Sequence, residues 1–388
     1  MTNNKNKIIN SIILFLSVIF LIVGYHLTTE FINNKKYNLK NYIITEELKP
    51  AFNNNNISVA FASDNNYVKY LSVAIVSLTD NMSKDYNYDI VILEDNIKDK
   101  NKRLLLKQIK DFKNISLRFI DINKYFDKNN KVNFYLSGNL SKATYNRLFI
   151  PDIFKNYNKV IYLDCDILIN SDLVDLYKID LGGNLIGGVR DMPFGSWLPI
   201  DFWKDKEFDI YIQSYLGINS LDEYVNAGLI VYNIKNCLDN NFTSSCLNSL
   251  KILKQPERHD QDVINMACKD KIKYLDYRYN FFAYYLDNVP DIKKYIPEYI
   301  LNDVKIIHFA GYHPWGNTYS DSVCKWIETS FKSPFFSNKT KQLLKSKVKL
   351  LRYKICGKLY RSEKRREKYK EKIKNVEKRI EFIKGIDK

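Results

Sequence analysis

Eight short apolar runs alternate with helical patterns between residues 57 and 309, and this alternation constrains the fold more than any other feature. Several runs are continuously apolar, as is typical of strands that are covered on both faces. The pattern predicts an α/β domain with a mainly parallel sheet flanked by helices. The predicted strands are 57–62, 89–93, 116–120, 159–163, 185–189, 229–232, 271–275 and 304–309, and the predicted helices include 69–79, 98–112 and 260–269.

The composition narrows the class of protein. A charged fraction of 27% with 14% aromatic residues excludes an intrinsically disordered chain. The six cysteines contain no CxxC pair and match no zinc or small disulfide framework, so we expect free, mostly buried thiols. Residues 339–388 hold 20 Lys+Arg against 6 Asp+Glu, so they account for +14 of the formal charge of +16. The body is therefore nearly neutral, and the basic character belongs to the C-terminal segment.

The N-terminal segment 8–25 is apolar, and no charged residue occurs between Lys7 and Glu30. Its 18 residues would span about 27 Å as a helix, which is close to the hydrocarbon thickness of a bilayer. A signal peptide is a weaker alternative because no small-x-small cleavage site follows, and a core helix is a further one. We predict a membrane anchor over 1–29, a linker over 30–56, a catalytic domain over 57–335 and a basic helical tail over 336–388.

The tail carries apolar residues at helical spacing among its lysines. The stripe consists of Leu344, Val348, Leu351, Ile355 and Leu359. This pattern predicts a basic amphipathic helix on an anionic membrane surface, with an RNA-binding tail and a helix packed on the body as alternatives. We expect a membrane-associated protein with a single-pass anchor and a cytoplasmic catalytic domain, a lumenal type II enzyme being the alternative, and no nucleic-acid partner.

Two carboxylates two residues apart follow a buried strand in the segment KVIYLDCD. In extended backbone, Asp164 and Asp166 point to the same side and can converge on one cation. Hard oxygen ligands suit Mg²⁺ or Mn²⁺, and His308, near the end of another apolar run, would add a nitrogen ligand that favours Mn²⁺. A pair of solvated aspartates and a hydrogen-bonded core histidine are the structural alternatives. Gly311 lets backbone approach a phosphate closely.

Further polar or small residues lie beside the other predicted strands, before the breaker Pro151 or at the start of the predicted helix 260–269. Ligand sites in open α/β sheets lie beyond the carboxyl ends of the strands, so these residues are candidates for substrate binding, although each is compatible with a purely structural role. They are Asp64, Asn66, Tyr67, Arg147, Asp191, Asn226, Ala227, Asp260 and Gln261.

Six motifs in one order resemble glycosyltransferase family 8, and in particular the bacterial lipopolysaccharide α-galactosyl- and α-glucosyltransferases. The motifs are AFASDNNY, TYNRL, YLDCD, VNAGLIVYN, HDQDVIN and HFAGYHPW, and they extend over about two thirds of the chain. The resemblance implies a GT-A-type (Rossmann-like) fold, a UDP-hexose donor, Mn²⁺ (with Mg²⁺ possible) and transfer with retention at the anomeric carbon.

The resemblance also implies roles for single residues. Asp164, Asp166 and His308 would bind the metal. Ala62, Asp64, Asn66 and Tyr67 would contact uridine and ribose, Arg147 the donor, and Gly311 the diphosphate. The sugar and acceptor site would contain Asp191, Asn226, Ala227, Asp260 and Gln261. The family usually has a lysine before Pro-Trp, and His313 stands in its place here, which weakens the charge facing the diphosphate.

The sequence therefore predicts a metal-dependent retaining hexosyltransferase that moves galactose or glucose from UDP to a glycan or lipid-linked saccharide, in lipopolysaccharide or surface-glycan synthesis. Gln261 falls where a nucleophile would sit, but an amide is a poor nucleophile. We therefore expect attack on the same face as the leaving group, with Asp191 and Asp260 binding sugar hydroxyls. A sugar-1-phosphate nucleotidyltransferase and a non-catalytic basic adaptor that binds membrane or nucleic acid are the alternatives.

Overall fold

A computed structural model describes residues 37–128, 132–137, 142–191, 206–288, 294–315, 320–336, 346, 348–350, 353–354 and 363–385. The chain divides into two units, residues 1–43 and residues 44–388. In the first unit, the described part has one 3₁₀ turn, Leu39–Asn41. The second unit contains the sheets, the helices and the site described below.

The second unit is built from ten described strands. They are β1 (Asn56–Asp64), β2 (Asn87–Asp95), β3 (Ile115–Asp121), β4 (Lys159–Leu163), β5 (Ile167–Ile169), β6 (Ile186–Arg190), β7 (Val225–Asn233), β8 (Ile272–Tyr274), β9 (Phe281–Phe282) and β10 (Ile306–His308). Eight of them coincide with the eight predicted strands, and β5 and β9 are the two that the apolar pattern did not predict.

The described helices lie mostly between these strands. They are α1 (Val68–Asn81), α2 (Asp99–Gln108), α3 (Asn123–Lys128), α4 (Ile150–Ile153), α5 (Val174–Lys178), α6 (Lys206–Tyr211), α7 (Ile234–Asp239), α8 (Phe242–Leu253), α9 (Asp260–Ala267), α10 (Ala283–Asn288), α11 (Glu298–Asn302), α12 (Asp321–Ser330) and α13 (Glu363–Gly385). Three 3₁₀ helices, Lys142–Phe149, Leu221–Glu223 and Tyr277–Asn280, and a π-helical turn at Ile212–Leu216 complete the described helices of this unit. The three helices named in the sequence analysis are all present, within a few residues at their ends.

The main sheet has seven strands in the order β3-β2-β1-β4-β7-β6-β8. Neighbours from β3 to β4 are parallel, and so are β6 and β8, whereas β7 is antiparallel to both β4 and β6. The predicted α/β fold with a mainly parallel sheet is therefore confirmed in its coarse form, as a mixed sheet. Because β7 runs in the opposite direction, its first residues lie at the same edge as the carboxyl end of β4.

A second sheet of three strands, in the order β5-β10-β9, forms beside the end of β4. β10 pairs with β5 antiparallel, with His308 opposite Ile167, and with β9 parallel. The backbone N–H of Phe309 donates to the carbonyl of Asp166 at 2.9 Å. This small sheet therefore holds the end of β10 against the segment that follows β4.

The last part of the predicted linker packs on the catalytic unit. Leu48 is buried, and the Arg118 guanidinium donates to the carbonyl of Lys49 at 2.9 Å. The backbone N–H of Ala51 donates to the Asp89 carboxylate at 2.9 Å. Arg118 of β3 and Asp89 of β2 also form a buried ion pair with each other, at 2.7 Å. Each of the two contacts of residues 49 and 51 uses one member of this pair, so residues 48–51 are fixed to β2 and β3.

The predicted N-terminal hydrophobic helix and the predicted basic helical tail on a membrane surface are not supported by the structure. In the C-terminal segment, Val348 is buried in a cluster with Trp326 and Val323 of α12, so this part packs on the body. Helix α13 contacts the same segment, since Lys354 Nζ lies 3.2 Å from the Glu377 carboxylate. The other residues of the predicted apolar stripe, Leu344, Leu351, Ile355 and Leu359, lie outside the described residues.

The predicted localisation, a membrane-associated protein with a single-pass anchor, is wrong by the structure. In the part of the chain that is described, no helix has the length and apolar character needed to cross a membrane. The segment 8–25, on which that prediction was based, lies outside the described residues. The predicted free thiols are confirmed for Cys165, Cys237, Cys246, Cys268 and Cys324.

Candidate active site

Two carboxylates and an imidazole converge where β4 ends. Asp164 and Asp166 follow β4 directly, and His308 is the last residue of β10. His308 Nε2 lies 3.4 Å from Asp166 Oδ1 and 3.9 Å from Asp164 Oδ2. Atoms that share a metal at 2.0–2.1 Å are at most about 4.2 Å apart, so both distances are compatible with a common ion. The donor set of two carboxylate oxygens and one imidazole nitrogen fits Mn²⁺ or Mg²⁺.

Burial and charge act in opposite directions on this group. Burial on its own would raise the pKa of Asp166, but the charge of His308 and its hydrogen bond hold that pKa below its usual value. Burial would likewise lower the pKa of His308, and the Asp166 charge raises it instead. Asp166 and His308 therefore stabilise each other's charged form, as expected for two side chains that are held within reach of one ion.

Arg147 connects Asp164 with strand β7 and helix α9. Its guanidinium lies 2.8 Å from Asp164 Oδ1 and 2.9 Å from Asp260 Oδ2, and it donates to the carbonyl of Ala227. The Tyr162 hydroxyl donates to the same Asp164 oxygen at 2.8 Å, and the guanidinium carbon lies 4.5 Å from the Tyr162 ring centroid. Arg147 is buried and faces two carboxylates, so its charge is largely neutralised within the protein.

A chain of amide hydrogen bonds fixes Gln261 beside Arg147. Gln261 Oε1 accepts from Asn226 Nδ2 at 2.9 Å and from the Ala227 N–H at 3.0 Å. Gln261 Nε2 donates to Asp191 Oδ2 at 2.9 Å. The amide oxygen thus has two donors, and the second Asp191 oxygen, Oδ1, is buried without a partner among the described residues. An unpartnered buried carboxylate oxygen is a ready acceptor for a ligand hydroxyl.

Burial dominates the acidity of the two carboxylates deeper in the site. Desolvation raises the pKa of Asp191, although Gln261 and Asn226 hydrogen-bond to it. Desolvation also raises the pKa of Asp260 to about 6, against the opposing charge of Arg147. The Thr144 hydroxyl donates to Asp260 Oδ1 at 2.6 Å. Asp191 is therefore held by neutral amide donors, and Asp260 by a hydroxyl and by the Arg147 guanidinium, which it shares with Asp164. Neither carboxylate is freely solvated.

Two cavities meet at the metal-site residues. One, of about 380 Å³, is lined by Ala62, Ser63, Asp64, Tyr67, Ala143, Thr144, Arg147, Tyr162, Asp164, Cys165, Asp166, Gly311 and His313. The other, of about 690 Å³, contains Asp191, Asn226, Ala227, Asp260, Gln261 and His308 in its lining. Five residues line both: Thr144, Arg147, Asp164, Asp166 and Gly311. A substrate in each cavity would therefore present its reacting end at the two metal-site carboxylates.

The smaller cavity brings together most of the residues predicted to bind the nucleotide. Asp64 Oδ1 accepts from the backbone N–H of Asn66 and of Tyr67, so this carboxylate fixes the turn after β1. Tyr67 is 38% exposed, which leaves its ring accessible to a base. Asn66 is exposed and does not belong to the lining of either cavity. Gly311 has a φ of +65°, a conformation that favours glycine.

His313 is held at the rim by a stack of rings. Its imidazole stacks on Trp315 at a centroid distance of 4.7 Å, and Trp315 stacks on Tyr70 of α1. His313 Nδ1 lies 3.9 Å from Asp166 Oδ2. The residue that replaces the usual lysine is therefore oriented toward the metal site by packing.

Sequence reasoning missed several residues of this site. The larger cavity includes Phe282, Tyr284 and Tyr285, which form an aromatic wall that begins with the last residue of β9. His259 precedes α9 with a φ of +53°, and its Nε2 lies 2.9 Å from the Ser137 hydroxyl. The dense aromatic run FFAYY was a visible signal for the wall, whereas an unusual backbone conformation at a histidine has no sequence signature.

The family model for glycosyl transferase family 8 matches residues 58–319. The chain belongs to glycosyltransferase family 8. The predicted family and enzyme class are therefore confirmed, and this match favours glycosyl transfer over the nucleotidyltransferase and adaptor alternatives. The predicted domain boundaries, 57–335, enclose the matched region and remain a prediction.

Three similar proteins extend this finding. Glycosyltransferase GlyB of Streptococcus pneumoniae is 28% identical over 269 residues, which are 67% of this chain and 58% of that protein. The lipopolysaccharide glucosyltransferase WaaO of Escherichia coli K12 is 26% identical over 234 residues, which are 55% of this chain and 64% of WaaO. The apo structure of the bifunctional glycosyltransferase WbbM superposes with a TM-score of 0.64 at 27% identity, over 78% of this chain and 53% of WbbM. The chain thus spans less than two thirds of each of these proteins, and it shares the fold of the part of WbbM on which it superposes.

Proposed function

We propose that this family 8 enzyme transfers a hexose, galactose or glucose, from a UDP-sugar to a saccharide acceptor with retention at the anomeric carbon. The meeting of the two cavities at Asp164 and Asp166, within reach of His308, is the observation that carries this proposal. The similarity to a lipopolysaccharide glucosyltransferase favours a glycan or lipid-linked saccharide as acceptor, within lipopolysaccharide or surface-glycan synthesis.

Asp164, Asp166 and His308 would hold a divalent cation, Mn²⁺ in preference to Mg²⁺ because one ligand is an imidazole nitrogen. When bound, such an ion supplies Lewis-acid neutralisation of the diphosphate as charge develops on the leaving group. The protein contributes the fixed geometry of the three ligands, since Asp164 is held by Arg147 and Tyr162.

The smaller cavity would take the nucleotide. The exposed ring of Tyr67 would stack on the uracil, and Ala62 and Asp64 would contact the base edge and ribose. Asn66, exposed beside this lining, would reach the ribose from outside it. Gly311 and His313, which also line this cavity, would face the diphosphate. This placement orients the anomeric carbon toward the larger cavity.

The larger cavity would take the donor hexose and the acceptor. Arg147, Asn226, Ala227 and Asp260 lie at the junction and offer donors and acceptors for the sugar hydroxyls. The unpartnered Asp191 Oδ1 would accept a hydrogen bond from a hydroxyl of the bound sugar. These fixed contacts restrict the rotation of the sugar when it binds, so that less rotational freedom remains to be lost on the way to the transition state.

Retention requires either a covalent glycosyl-enzyme or attack on the face of the leaving group. We favour same-face attack because the Gln261 amide oxygen already accepts two hydrogen bonds, which makes a poor nucleophile poorer. The Gln261 dipole and the neighbouring carboxylates would stabilise the positive charge that develops on the sugar. The departing UDP oxygen would then take the proton of the acceptor hydroxyl.

A donor screen tests the function. Release of UDP from UDP-galactose and UDP-glucose is measured with Mn²⁺ and with a chelator, for the wild-type protein, Asp166→Asn and Asp95→Asn. Asp95 is the matched control, because it ends strand β2, which lies two strands from β4 in the same sheet, and belongs to the lining of neither cavity. We expect metal-dependent release that Asp166→Asn abolishes and Asp95→Asn preserves. Full activity of Asp166→Asn would contradict the assigned metal site.

Mass spectrometry of slowed variants tests the stereochemical course. Same-face attack predicts that no sugar becomes attached to the protein when the acceptor is withheld. A hexose trapped on Asp191 or Asp260 would instead establish a double displacement and overturn the role given to Gln261.

A further inference from the structure

Gly228, the fourth residue of β7, lies directly against the imidazole of His308. A Cβ atom built on Gly228 would be 2.2 Å from His308 Cε1, 2.9 Å from His308 Nδ1 and 2.9 Å from Asn226 Oδ1. Real Cβ atoms do not approach heavy atoms this closely, so even an alanine at this position requires the ring to move. The van der Waals space of the missing side chain is thus occupied by a ligand of the metal site.

The backbone conformation is not the reason for this glycine. The described glycines with positive φ are Gly182, Gly217 and Gly311, and Gly228 is not among them. An L-residue can therefore adopt the conformation of Gly228 without strain. What position 228 requires is the absence of a side chain, and the shortest of the contacts that impose this requirement, at 2.2 Å, is with His308.

Gly228 also contacts the second arm of the metal site. Its carbonyl accepts the backbone N–H of Asp164 at 2.9 Å, and its own N–H donates to Asn226 Oδ1 at 2.9 Å. The position of its Cα relative to Asp164 is therefore fixed by the β4–β7 ladder and by this side-chain cap. A ring that rests on this Cα is held at a fixed distance from the carboxylates.

The opposite contacts of the His308 ring are also restrictive. The ring is buried and meets the Phe282 ring edge to face at a centroid distance of 5.5 Å. Its Nδ1 has no hydrogen-bond partner among the described residues, so no polar contact on that side orients the ring. In many metal sites that second nitrogen donates to a carboxylate or carbonyl, which fixes the ligand. Here packing between Phe282 and the bare Cα of Gly228 has to do so.

We propose that Gly228 is a positioning residue of the metal site, because its missing side chain forms the niche that aims His308 Nε2 at Asp164 and Asp166. The inference rests on the proposed metal-binding role of these three residues. It predicts that a single added methyl group at position 228 impairs metal binding while it leaves the sheet intact.

The test measures Mn²⁺ affinity by electron paramagnetic resonance for the wild-type protein, Gly228→Ala, His308→Ala and the double variant. We expect Gly228→Ala to weaken Mn²⁺ binding by about tenfold or more, the range found when the residues that orient a metal ligand are changed. In the His308→Ala background, the same substitution should change the Kd by less than about twofold, because the group through which it acts is absent.

Gly187→Ala is the matched control. Gly187 lies on the adjacent strand β6, and a Cβ there would meet Leu181 Cδ2 at 2.8 Å, which is also closer than real Cβ contacts but involves no metal ligand. We expect its Mn²⁺ affinity to equal that of the wild-type protein. Equal losses of affinity in both alanine variants would mean that crowding of the sheet, and not displacement of His308, is the cause.

The outcomes separate this inference from the proposed function. Absence of Mn²⁺ binding by the wild-type protein would refute the metal site itself and the inference with it. Binding by the wild-type protein that Gly228→Ala leaves unchanged would refute the inference alone. If Gly228→Ala does not fold, thermal unfolding of the double variant decides: removal of the imidazole should restore folding, and a double variant that also fails to fold would overturn the proposal.

Discussion

Replacement of Arg147 by methionine is the sharpest test of the charge network in the site. The substitution keeps an unbranched side chain of similar length but removes the guanidinium that lies 2.8 Å from Asp164 and 2.9 Å from Asp260. The side chains of Arg147 and Asp260 are 7% and 6% exposed, so the carboxylate cannot regain water when its partner is lost. We expect a loss of stability of about 3–5 kcal/mol, the range for removing one partner of a buried ion pair.

The size of this loss should depend on pH. Burial raises the pKa of Asp260 to about 6 even with Arg147 present, and removal of that cation raises it further. A carboxyl whose folded-state pKa exceeds its unfolded value binds protons more readily when folded, so its destabilising charge is removed as the pH falls through the folded pKa. The stability difference between the wild-type protein and Arg147→Met should therefore be largest near pH 8 and smaller near pH 5.

Urea unfolding at the two pH values measures both effects. Arg118→Met is the matched control, because Arg118 pairs with the fully buried Asp89 at 2.7 Å on the part of the sheet that holds residues 48–51. It should also destabilise the protein, while its Mn²⁺ affinity stays that of the wild type. A loss below about 1 kcal/mol for Arg147→Met, typical of an exposed pair, would refute the buried network, and an equal loss at both pH values would refute its dependence on Asp260.

Three further predictions concern separate parts of the chain. His313→Lys places a permanent charge beside Asp166 and should lower the donor KM by up to about fivefold in initial-rate measurements, and an unchanged KM would mean that position 313 does not face the diphosphate. The wild-type free energy of unfolding should fall by up to about 3 kcal/mol between pH 4 and pH 7 relative to Asp260→Asn, since a pKa raised from 3.8 to about 6 opposes ionisation in the folded state; parallel pH curves would contradict this. Val348→Ala should cost about 1–2 kcal/mol in thermal unfolding, because Val348 packs beside Trp326, and an unchanged melting temperature would show that the C-terminal segment does not contribute to the core.

The residues of the candidate metal site could be predicted to lie together because each stands at the end of a strand that its own composition reveals. The run VIYL is continuously apolar and is buried in β4, so the polar residues after it had to lie at the edge of the sheet. The same reasoning applies to His308 at the end of β10. Parallel strands of an open sheet place such residues at one edge, which is why a local pattern was informative about a distant contact.

The relation between β7 and its neighbours was not predictable from these patterns. A continuously apolar run is compatible with either direction in a buried sheet, so VNAGLIVYN did not reveal that β7 runs antiparallel to β4. The reversal is what brings Asn226, Ala227 and Gly228 to the edge where Asp164 lies. Strands β5 and β9, with three and two residues, are too short to carry a period, although β5 places His308 opposite Ile167.

The long-range side-chain contacts were likewise invisible in the sequence. Arg147 was expected to contact the donor, yet its charged partners are carboxylates of the protein, Asp164 and Asp260, which are 17 and 113 positions away along the chain. The motif TYNRL signals that an arginine is present but not which charges it balances. An ion pair depends on the three-dimensional approach of two chains, for which no local spacing exists.

The charges that line the two cavities indicate what the proposed binding of a nucleotide sugar would require. Among the described residues that line them, six are acidic and two are arginines: Asp64, Asp164, Asp166, Asp191, Glu257 and Asp260, with Arg147 and Arg258. Arg147 already pairs with two of the carboxylates, so it adds little free positive charge. A diphosphate entering this lining would meet net negative charge, and the histidine at position 313 compensates less than a lysine would. Donor binding should therefore depend on a cation at Asp164, Asp166 and His308, because the described residues of the two linings include no lysine, and no described residue of the basic segment 339–388 belongs to either lining.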